Sequence, residues 1–423
     1  MHEVIDLILL RKEAIGMKTN MKKLAKLVTA LALTLTVGAS ATGCAGSGDS
    51  SSASGGPSSA PSSSAAAGGT VKIGASFPLS GSVATDGKMI VTAIQMAVDE
   101  ANAAGGLKIA GGNYTVELDA QDDEADPTTA ATIANRFVDD SDIMAVISSY
   151  NSSCMLAQVG TYDASGLSSV SPVATSPDLS GSSDYFHRVV NSDAFTGALD
   201  ADVMKALGYT KVAALYEDDD YGFGIYESFK AQAESIGLDI AYTGTFVYGE
   251  TKDFSTLLTN VVNSGCDAVF WGGLITELSL FLSQAATFGA DSIPVYADTG
   301  CYSPAMITEA GELSEGIVSV GCFDLSGSNG DETSQKFVDD FTKAYGSEPS
   351  LYAALAYDAA KTLFTAMESS TELSREAVNN ALNAVDYTGI TGLNQFDENG
   401  DVSKVYSVYE VKNGFWVPKD VVY

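Results

Sequence analysis

Short apolar segments alternate with longer amphipathic segments from Thr70 onward. Strands of about four to eight residues and helices of ten or more produce this pattern. The predicted strands are 71–75, 114–118, 143–147, 169–171, 211–216, 239–246 and 268–271, and the predicted helices are 86–103, a segment opening at Asp126-Pro127, 154–164, 222–236, 253–264 and 276–288. The order predicts an α/β fold with parallel-rich sheets. Because 70–423 is long for one core, we expect two doubly wound lobes.

The N-terminal 43 residues have the pattern of an export signal. A basic segment, Met17–Lys26, precedes an apolar run, Leu27–Ala39, which is too short to span a bilayer. Residues 1–43 are therefore predicted to be a signal peptide. Residues 1–16 lack a clean pattern, and we expect them to be a spurious extension ahead of a start at Met17 or Met21.

Cys44 follows small residues in the manner of a bacterial lipidation site. Ala41 stands where a leucine is usual, so plain secretion with Cys44 as a spare thiol is the alternative. Residues 45–69 contain only Ala, Gly, Ser, Pro and one Asp, a composition that forms no core. Residues 44–69 are thus expected to be a lipid-anchored flexible linker with a span of about 25–30 Å. The predicted location is extracytoplasmic, with contact to the cell membrane through the lipid alone.

Charge and composition exclude several functions. Lys and Arg number 22 against 54 Asp and Glu, giving a net charge of −32. So acidic a chain leaves no basic surface for nucleic acid. His187 is the one histidine after the predicted signal, which excludes a multi-histidine metal site. Gly222-Phe223-Gly224 lacks the third glycine of a dinucleotide loop, and His187 has no evident nucleophile beside it. We therefore expect no cofactor, no metal and no enzymatic activity; a cleft amidase is the weaker alternative.

Several short motifs resemble one known family in their order and spacing. They are Pro78–Gly81 (PLSG), Ala101–Gly106 (ANAAGG), Ser171–Pro177 (SPVATSP), Tyr221–Gly224 (YGFG) and Phe396–Gly400 (FDENG). The chain resembles the branched-chain-amino-acid type of solute-binding protein of ABC importers, over essentially all of 70–423. The resemblance implies the type I periplasmic-binding-protein fold: two lobes joined by three crossovers, with a ligand cleft between lobes that close by hinge motion.

The resemblance also implies the lobe boundaries and the site. Lobe 1 would be 70–192 plus 324–394, and lobe 2 would be 193–323 plus 395–423. The residues that match the family's ligand contacts are Ser152 and Thr175 for the carboxylate, the Val173 carbonyl and Asp298 for the ammonium, and Tyr221 reaching from lobe 2. Independently, a helix beginning near Ser152 offers free N–H groups to an anion.

Structural roles are the alternatives for the same residues. Ser152 or Ser153 would simply cap a helix, 171–177 would be a proline turn, and Tyr221 would be a surface residue. Asp298 would cap its own turn. An acid at position 298 nevertheless favours an amino acid over urea, amides or aromatic acids, because family members for those ligands tend to lack it.

The predicted side-chain pocket departs from the family. Branched-chain members carry tyrosines where Asp86 and Leu274 stand, so a small or polar ligand side chain is as plausible as leucine. Tyr150 is a further lining candidate, and so is Trp271 unless it belongs to the core. The disulfide of the best-known members is absent, and a Cys301–Cys322 bridge and two reduced thiols are equally plausible.

The expected function is capture of an amino acid, branched-chain or otherwise small neutral or polar, and its delivery to an ABC importer. The expected partners are the amino-acid ligand and the permease and ATPase subunits, with the protein itself a monomer. Two alternatives stay open: a ligand-sensing protein that signals to a receptor, and transport of an amide, urea or an aromatic acid.

Overall fold

The computed structural model describes residues 66–325 and 332–423. The predicted signal peptide 1–43, the lipidation site Cys44 and most of the linker 44–69 lie outside these residues. Within the described ranges no helix is both long enough and apolar enough to span a membrane.

Strands and helices alternate through most of the chain. The strands are β1 (Ala66–Phe77), β2 (Leu107–Ile109), β3 (Gly112–Asp122), β4 (Ile143–Ser148), β5 (Ser168–Ser171), β6 (Phe186–Arg188), β7 (Lys211–Glu217), β8 (Asp239–Phe246), β9 (Ala268–Gly272), β10 (Val295–Ala297), β11 (Val318–Gly321), β12 (Tyr387–Gly389), β13 (Gly392–Asn394), β14 (Ser407–Lys412) and β15 (Phe415–Pro418). The helices are α1 (Ala84–Ala103), α2 (Pro127–Asp139), α3 (Ser152–Ser165), α4 (Asp193–Ala206), α5 (Asp220–Ile236), α6 (Ser255–Ser264), α7 (Ile275–Phe288), α8 (Pro304–Ala310), α9 (Glu332–Tyr345), α10 (Leu351–Ser369) and α11 (Arg375–Leu382).

Two parallel-rich sheets form the body of the molecule. The first has the order β2-β3-β1-β4-β5-β6, in which the β2–β3 pair is antiparallel and the other pairs are parallel. The second has the order β15-β14-β11-β10-β9-β7-β8, and only its pairs that include β14 or β15 are antiparallel. The predicted α/β fold with two parallel-rich sheets is confirmed.

The chain passes three times between the two sheets. Strands β1–β6 build the first sheet, β7–β11 build most of the second, and β14 and β15 complete the second. In between, α10 packs against α1 beside the first sheet, where the Tyr357 hydroxyl donates to Glu100 Oε2 at 2.7 Å. This order agrees with lobes of 70–192 plus 324–394 and 193–323 plus 395–423, whose boundaries stay predictions.

Strand β1 begins inside the segment predicted to be linker. Ala66 pairs with Gly112 and Gly69 pairs with Tyr114, with a register shift between them. Backbone pairing needs no side chain, so a Gly- and Ala-rich segment joins a sheet edge where a neighbouring strand extends beside it.

Local sequence fixes the helix starts next to the strand ends. Asp126 caps α2 by accepting from the Thr129 N–H at 2.7 Å, with Pro127 in the first turn, as predicted. The loops after β4, β5, β9 and β10 all leave the carboxyl ends of parallel strands. Ligands of such folds bind at these ends, so the fold gathers four loops around one site.

Candidate functional site

A cavity lies where these four loops meet. It encloses about 450 Å³ of space free of atoms, counting the open solvent at its mouth. Its walls are Tyr150, Asn151, Ser152, Val173, Thr175, Val190, Tyr221, Leu274, Thr299, Gly300, Leu351 and Tyr352. The structure therefore brings together six of the predicted ligand residues: Tyr150, Ser152, Val173, Thr175, Tyr221 and Leu274. It places Asp298 and Asp86 outside this wall.

One side of the cavity is formed by the start of helix α3. Helix α3 starts at Ser152, and the cap residue Asn151 makes no side-chain hydrogen bond to the first turn. The first-turn N–H groups and the positive end of the helix dipole therefore remain for a ligand. The Ser152 hydroxyl accepts from the Ser176 N–H at 3.1 Å, which ties the loop after β5 to the helix start and places Thr175 beside it.

Buried Arg188 holds the loop that carries Thr175. Its guanidinium donates to the carbonyls of Thr175 and Ser176, both at 2.9 Å, and to the Ser180 hydroxyl. It also pairs with Asp401 at 2.6 Å. A guanidinium presents several donors in a fixed fork, so one side chain sets the path of the whole loop. Sequence reasoning did not single out Arg188, because no local pattern indicates that it holds this loop and its ionic partner Asp401 lies far away in the chain.

Asp298 lies on the opposite side of the cavity. It follows β10, is fully buried, and its Oδ2 accepts from the Tyr221 hydroxyl at 2.7 Å and from the Thr299 hydroxyl at 3.2 Å. Its Oδ1 accepts no hydrogen bond from the part of the chain that the structure describes. Tyr221 and Thr299 line the cavity, so the carboxylate reaches the cavity through them. Asp298 also caps its turn by accepting from the Gly300 N–H, which is the structural role given above as the alternative.

Two further buried acids surround Asp298, and sequence reasoning missed both. Asp193 begins α4 and Asp200 follows two turns later on the same face of that helix. Burial, and next the charge of Asp298, hold the pKa of each well above the usual aspartate range. Asp200 accepts from the Tyr296 hydroxyl at 2.6 Å. A helix-spaced pair of acids on an otherwise apolar face was the signal available in the sequence.

Another side of the cavity is aromatic and apolar. Tyr150 and Tyr352 meet edge to face with ring centroids 5.6 Å apart, and Leu274 completes the wall. Tyr352, on α10, was not predicted. Asp86 lies in an adjoining chamber and accepts from the Tyr150 hydroxyl at 3.2 Å. Trp271 is a core residue that stacks on Phe246 at 4.4 Å.

Cys301, Cys322 and His187 are not among the residues that line the cavity. Cys301 and Cys322 do not pair; the Cys301 thiol donates to the Gly273 carbonyl at 3.2 Å. His187 is buried, and its Nε2 lies 3.0 Å from Asn383 Oδ1. Burial lowers the pKa of the His187 imidazole to about 4. Within the described ranges, no group of three or more His, Cys, Asp or Glu residues is arranged to hold a metal ion.

Comparisons with known proteins cover most of the chain. The sequence profile of a family described as periplasmic binding protein matches residues 70–415. A leucine-, isoleucine-, valine-, threonine- and alanine-binding protein of Pseudomonas aeruginosa is 28% identical over 345 residues, covering 81% of this chain and 90% of the relative.

Solved structures share the fold at similar identity. The leucine-binding protein LivK of Thermotoga maritima is 28% identical, with a TM-score of 0.76 over 84% of this chain and 99% of that one. The branched-chain amino acid transporter substrate-binding protein LivJ of Streptococcus pneumoniae, solved with isoleucine, is 30% identical. Its TM-score is 0.75, again over 84% of this chain and 99% of the other.

Proposed function

The chain belongs to the periplasmic binding protein family, and on that premise we propose that it captures an α-amino acid outside the cytoplasm and delivers it to an ABC importer. The observation that carries the proposal is the pairing of a helix start with a buried acid across one cavity. An α-amino acid has a carboxylate and an ammonium on one carbon, and the two sides of the cavity match those two charges. The similar proteins named for leucine, isoleucine and valine support the same ligand class.

Each charge of the ligand has its own group of contacts. The carboxylate takes the first-turn N–H groups of α3 and the hydroxyls of Ser152 and Thr175. The ammonium takes the Asp298 carboxylate, the Val173 carbonyl and the Tyr221 hydroxyl. Because Asp298 is fully buried, its attraction for a cation is screened far less than that of a surface acid.

Closure couples binding to delivery. Ser152, Val173 and Thr175 belong to the first sheet's side, and Tyr221 and Asp298 to the second, so one ligand bridges both. Binding then favours the closed form by the difference in affinity between closed and open forms. The closed protein docks as a monomer on a permease, and the importer's ATPase supplies the energy.

Membrane attachment is the second part of the proposal. After removal of signal peptide 1–43, a lipid on Cys44 anchors the protein and residues 45–69 tether it. Metabolic labelling with a radioactive fatty acid tests this: the wild type takes up label, Cys44→Ser takes up none, and Cys266→Ser keeps the label. Labelling of Cys44→Ser would contradict the anchor.

The ligand class is tested by thermal shift of the full chain against the twenty amino acids, urea, short amides and aromatic acids. A ligand at about 100 times its Kd adds roughly 2.7 kcal/mol to the free energy of unfolding, which is several degrees in Tm. Stabilisation by one or a few amino acids is the expected result. A response to amides or aromatic acids alone would overturn the proposal.

A further inference from the structure

An acidic chamber adjoins the ligand cavity. The two share Tyr150 and Leu274 as walls, and the chamber is further bounded by Asp86, Tyr248, Glu277 and Glu309. It contains about 350 Å³ of space free of atoms, counting open solvent. The chamber therefore begins where the side-chain end of the ligand cavity stops.

Two of its carboxyl groups are buried and only half satisfied. Asp86 is 7% exposed and Glu277 is 0% exposed. Asp86 Oδ2 accepts from the Tyr150 hydroxyl at 3.2 Å, and Glu277 Oε1 accepts from the Gly249 N–H at 3.1 Å. Among the residues that the structure describes, Asp86 Oδ1 and Glu277 Oε2 have no hydrogen-bond partner. Burying a carboxylate oxygen without a hydrogen-bond partner destabilises the folded state. A donor from a bound ligand would therefore stabilise these two oxygens.

Nothing on the chamber wall neutralises these acids. The described residues that line it include no Lys, Arg or His, and Glu309 adds a third acid at the more exposed rim. Buried Glu217 lies behind Leu274, accepting from its N–H at 2.9 Å, with Oε2 unpartnered. Burial first, and then the charge of Glu309, raise the pKa of Asp86 to about 6.

A metal ion is not the cation that fits. The chamber acids are not grouped as metal ligands within the described residues. The shared walls are an aromatic ring and a leucine, which suit an alkyl stem rather than a hydrated ion. The chemistry required is an apolar stem that ends in a strong donor with a positive charge.

We propose that the ligand is a basic α-amino acid, such as lysine, ornithine or arginine, whose side-chain cation lies in the acidic chamber between Asp86 and Glu277. The inference rests on the proposed function, because the α-ammonium and α-carboxylate sites fix the end from which the side chain departs. The methylene stem runs between Tyr150 and Leu274. A branched aliphatic side chain would leave both carboxyl groups without a partner.

Isothermal titration of the full chain with lysine and norleucine tests the inference. Norleucine keeps the straight stem and the α-groups but lacks the terminal ammonium. Lysine is expected to bind at least 100-fold more tightly at pH 7.5. Near pH 6, lysine binding should release protons from Asp86, seen as a dependence of the heat on the ionisation enthalpy of the buffer. Norleucine binding should release no proton from Asp86 at this pH.

Matched variants locate the contact. Asp86→Asn and Glu277→Gln should each weaken lysine binding at least tenfold and leave norleucine binding within about threefold, while exposed Glu312→Gln changes neither. Norleucine or leucine binding as tightly as lysine would overturn this inference and leave the proposed function standing. Binding of no amino acid at all would overturn both.

Discussion

Asp298 is the residue on which the proposed ammonium site depends. Asp298→Asn keeps the shape and an acceptor for Tyr221 but removes the charge. The amino-acid ligand should lose roughly 2–5 kcal/mol of binding free energy, because a buried ammonium loses its ionic partner. Titration calorimetry with the ligand found by thermal shift measures the loss.

The same substitution should leave the ligand-free protein folded. Asp193 and Asp200 lie within the field of Asp298, so removing its charge relieves repulsion among buried acids. Exposed Asp239→Asn is the matched control and should alter neither affinity nor stability. Wild-type affinity in Asp298→Asn would take this carboxylate out of the site.

Asp86 should make the ligand-free protein less stable as pH rises. Its pKa is raised from 3.8 to about 6, chiefly by burial, so the folded state holds a proton that the unfolded state has released between these values. That contribution is fully present below about pH 4 and is lost as pH rises through about 6. This rise in the pKa of Asp86 corresponds to about 3 kcal/mol in the free energy of unfolding.

Urea unfolding of wild type and Asp86→Asn, without ligand, measures this effect. The variant should gain about 3 kcal/mol over wild type between pH 4 and pH 7, apart from a constant offset. Asp239→Asn should show no such pH-dependent gain. A difference between Asp86→Asn and wild type that does not change with pH would refute the assignment.

Residues that sequence reasoning found and missed differ in how their signals lie along the chain. Ser152, Thr175 and Asp298 each follow a recognisable strand and sit in a family motif, so local pattern located them. Tyr352 reaches the site only because α10 passes there, and nothing local distinguishes it from an ordinary helix residue. Convergence of distant segments is a property of the packed fold.

At the scale of elements, the loop 175–180 depends on one buried guanidinium. Arg188→Lys cannot reproduce the fork that serves the Thr175 and Ser176 carbonyls and Asp401. Breaking a buried pair and its hydrogen bonds should cost about 3–5 kcal/mol of stability. Ligand affinity should fall as well, because Thr175 loses its support.

Arg136→Lys is the matched control for this loop. Arg136 pairs with Asp119 at 2.8 Å with half of its side chain exposed, so its replacement should cost no more than about 1 kcal/mol. Chemical denaturation of both variants, with ligand titration, makes the comparison. Equal small losses in the two variants would show that Arg188 does not organise the loop.

Elements with a strong local pattern were predictable, and short ones were not. The predicted strand 239–246 matches β8, and helix 276–288 starts one residue after α7 begins. Three-residue strands such as β2 and β12 form because a neighbouring strand offers a free edge. A segment of three residues is too short to show the alternation of apolar and polar residues that indicates a strand. The start of β1 at Ala66 has the same cause, since β3 supplies the pairing.

At the scale of the whole molecule, the two sheet bodies touch outside the ligand cavity. The Ser82 hydroxyl, before α1, and the Tyr248 hydroxyl, after β8, lie 2.8 Å apart. Ser82 belongs to the body built on the first sheet, and Tyr248 belongs to the body built on the second sheet. This hydrogen bond forms only where the bodies meet, so it should stabilise a closed form and contribute nothing to an open one.

Tyr248→Phe should therefore speed ligand release more than it slows capture. A single hydrogen bond is worth about 0.5–1.5 kcal/mol net, so the dissociation rate should rise by up to roughly tenfold with little change in the association rate. Stopped-flow binding measures both rates. Tyr242→Phe is the control, because its hydroxyl accepts from Asn260 within the second body, 3.1 Å away.

Small-angle scattering completes the test: ligand should reduce the radius of gyration of the full chain, and at subsaturating ligand Tyr248→Phe should show less of that reduction. An unchanged radius of gyration on saturation would rule out closure as the response to ligand.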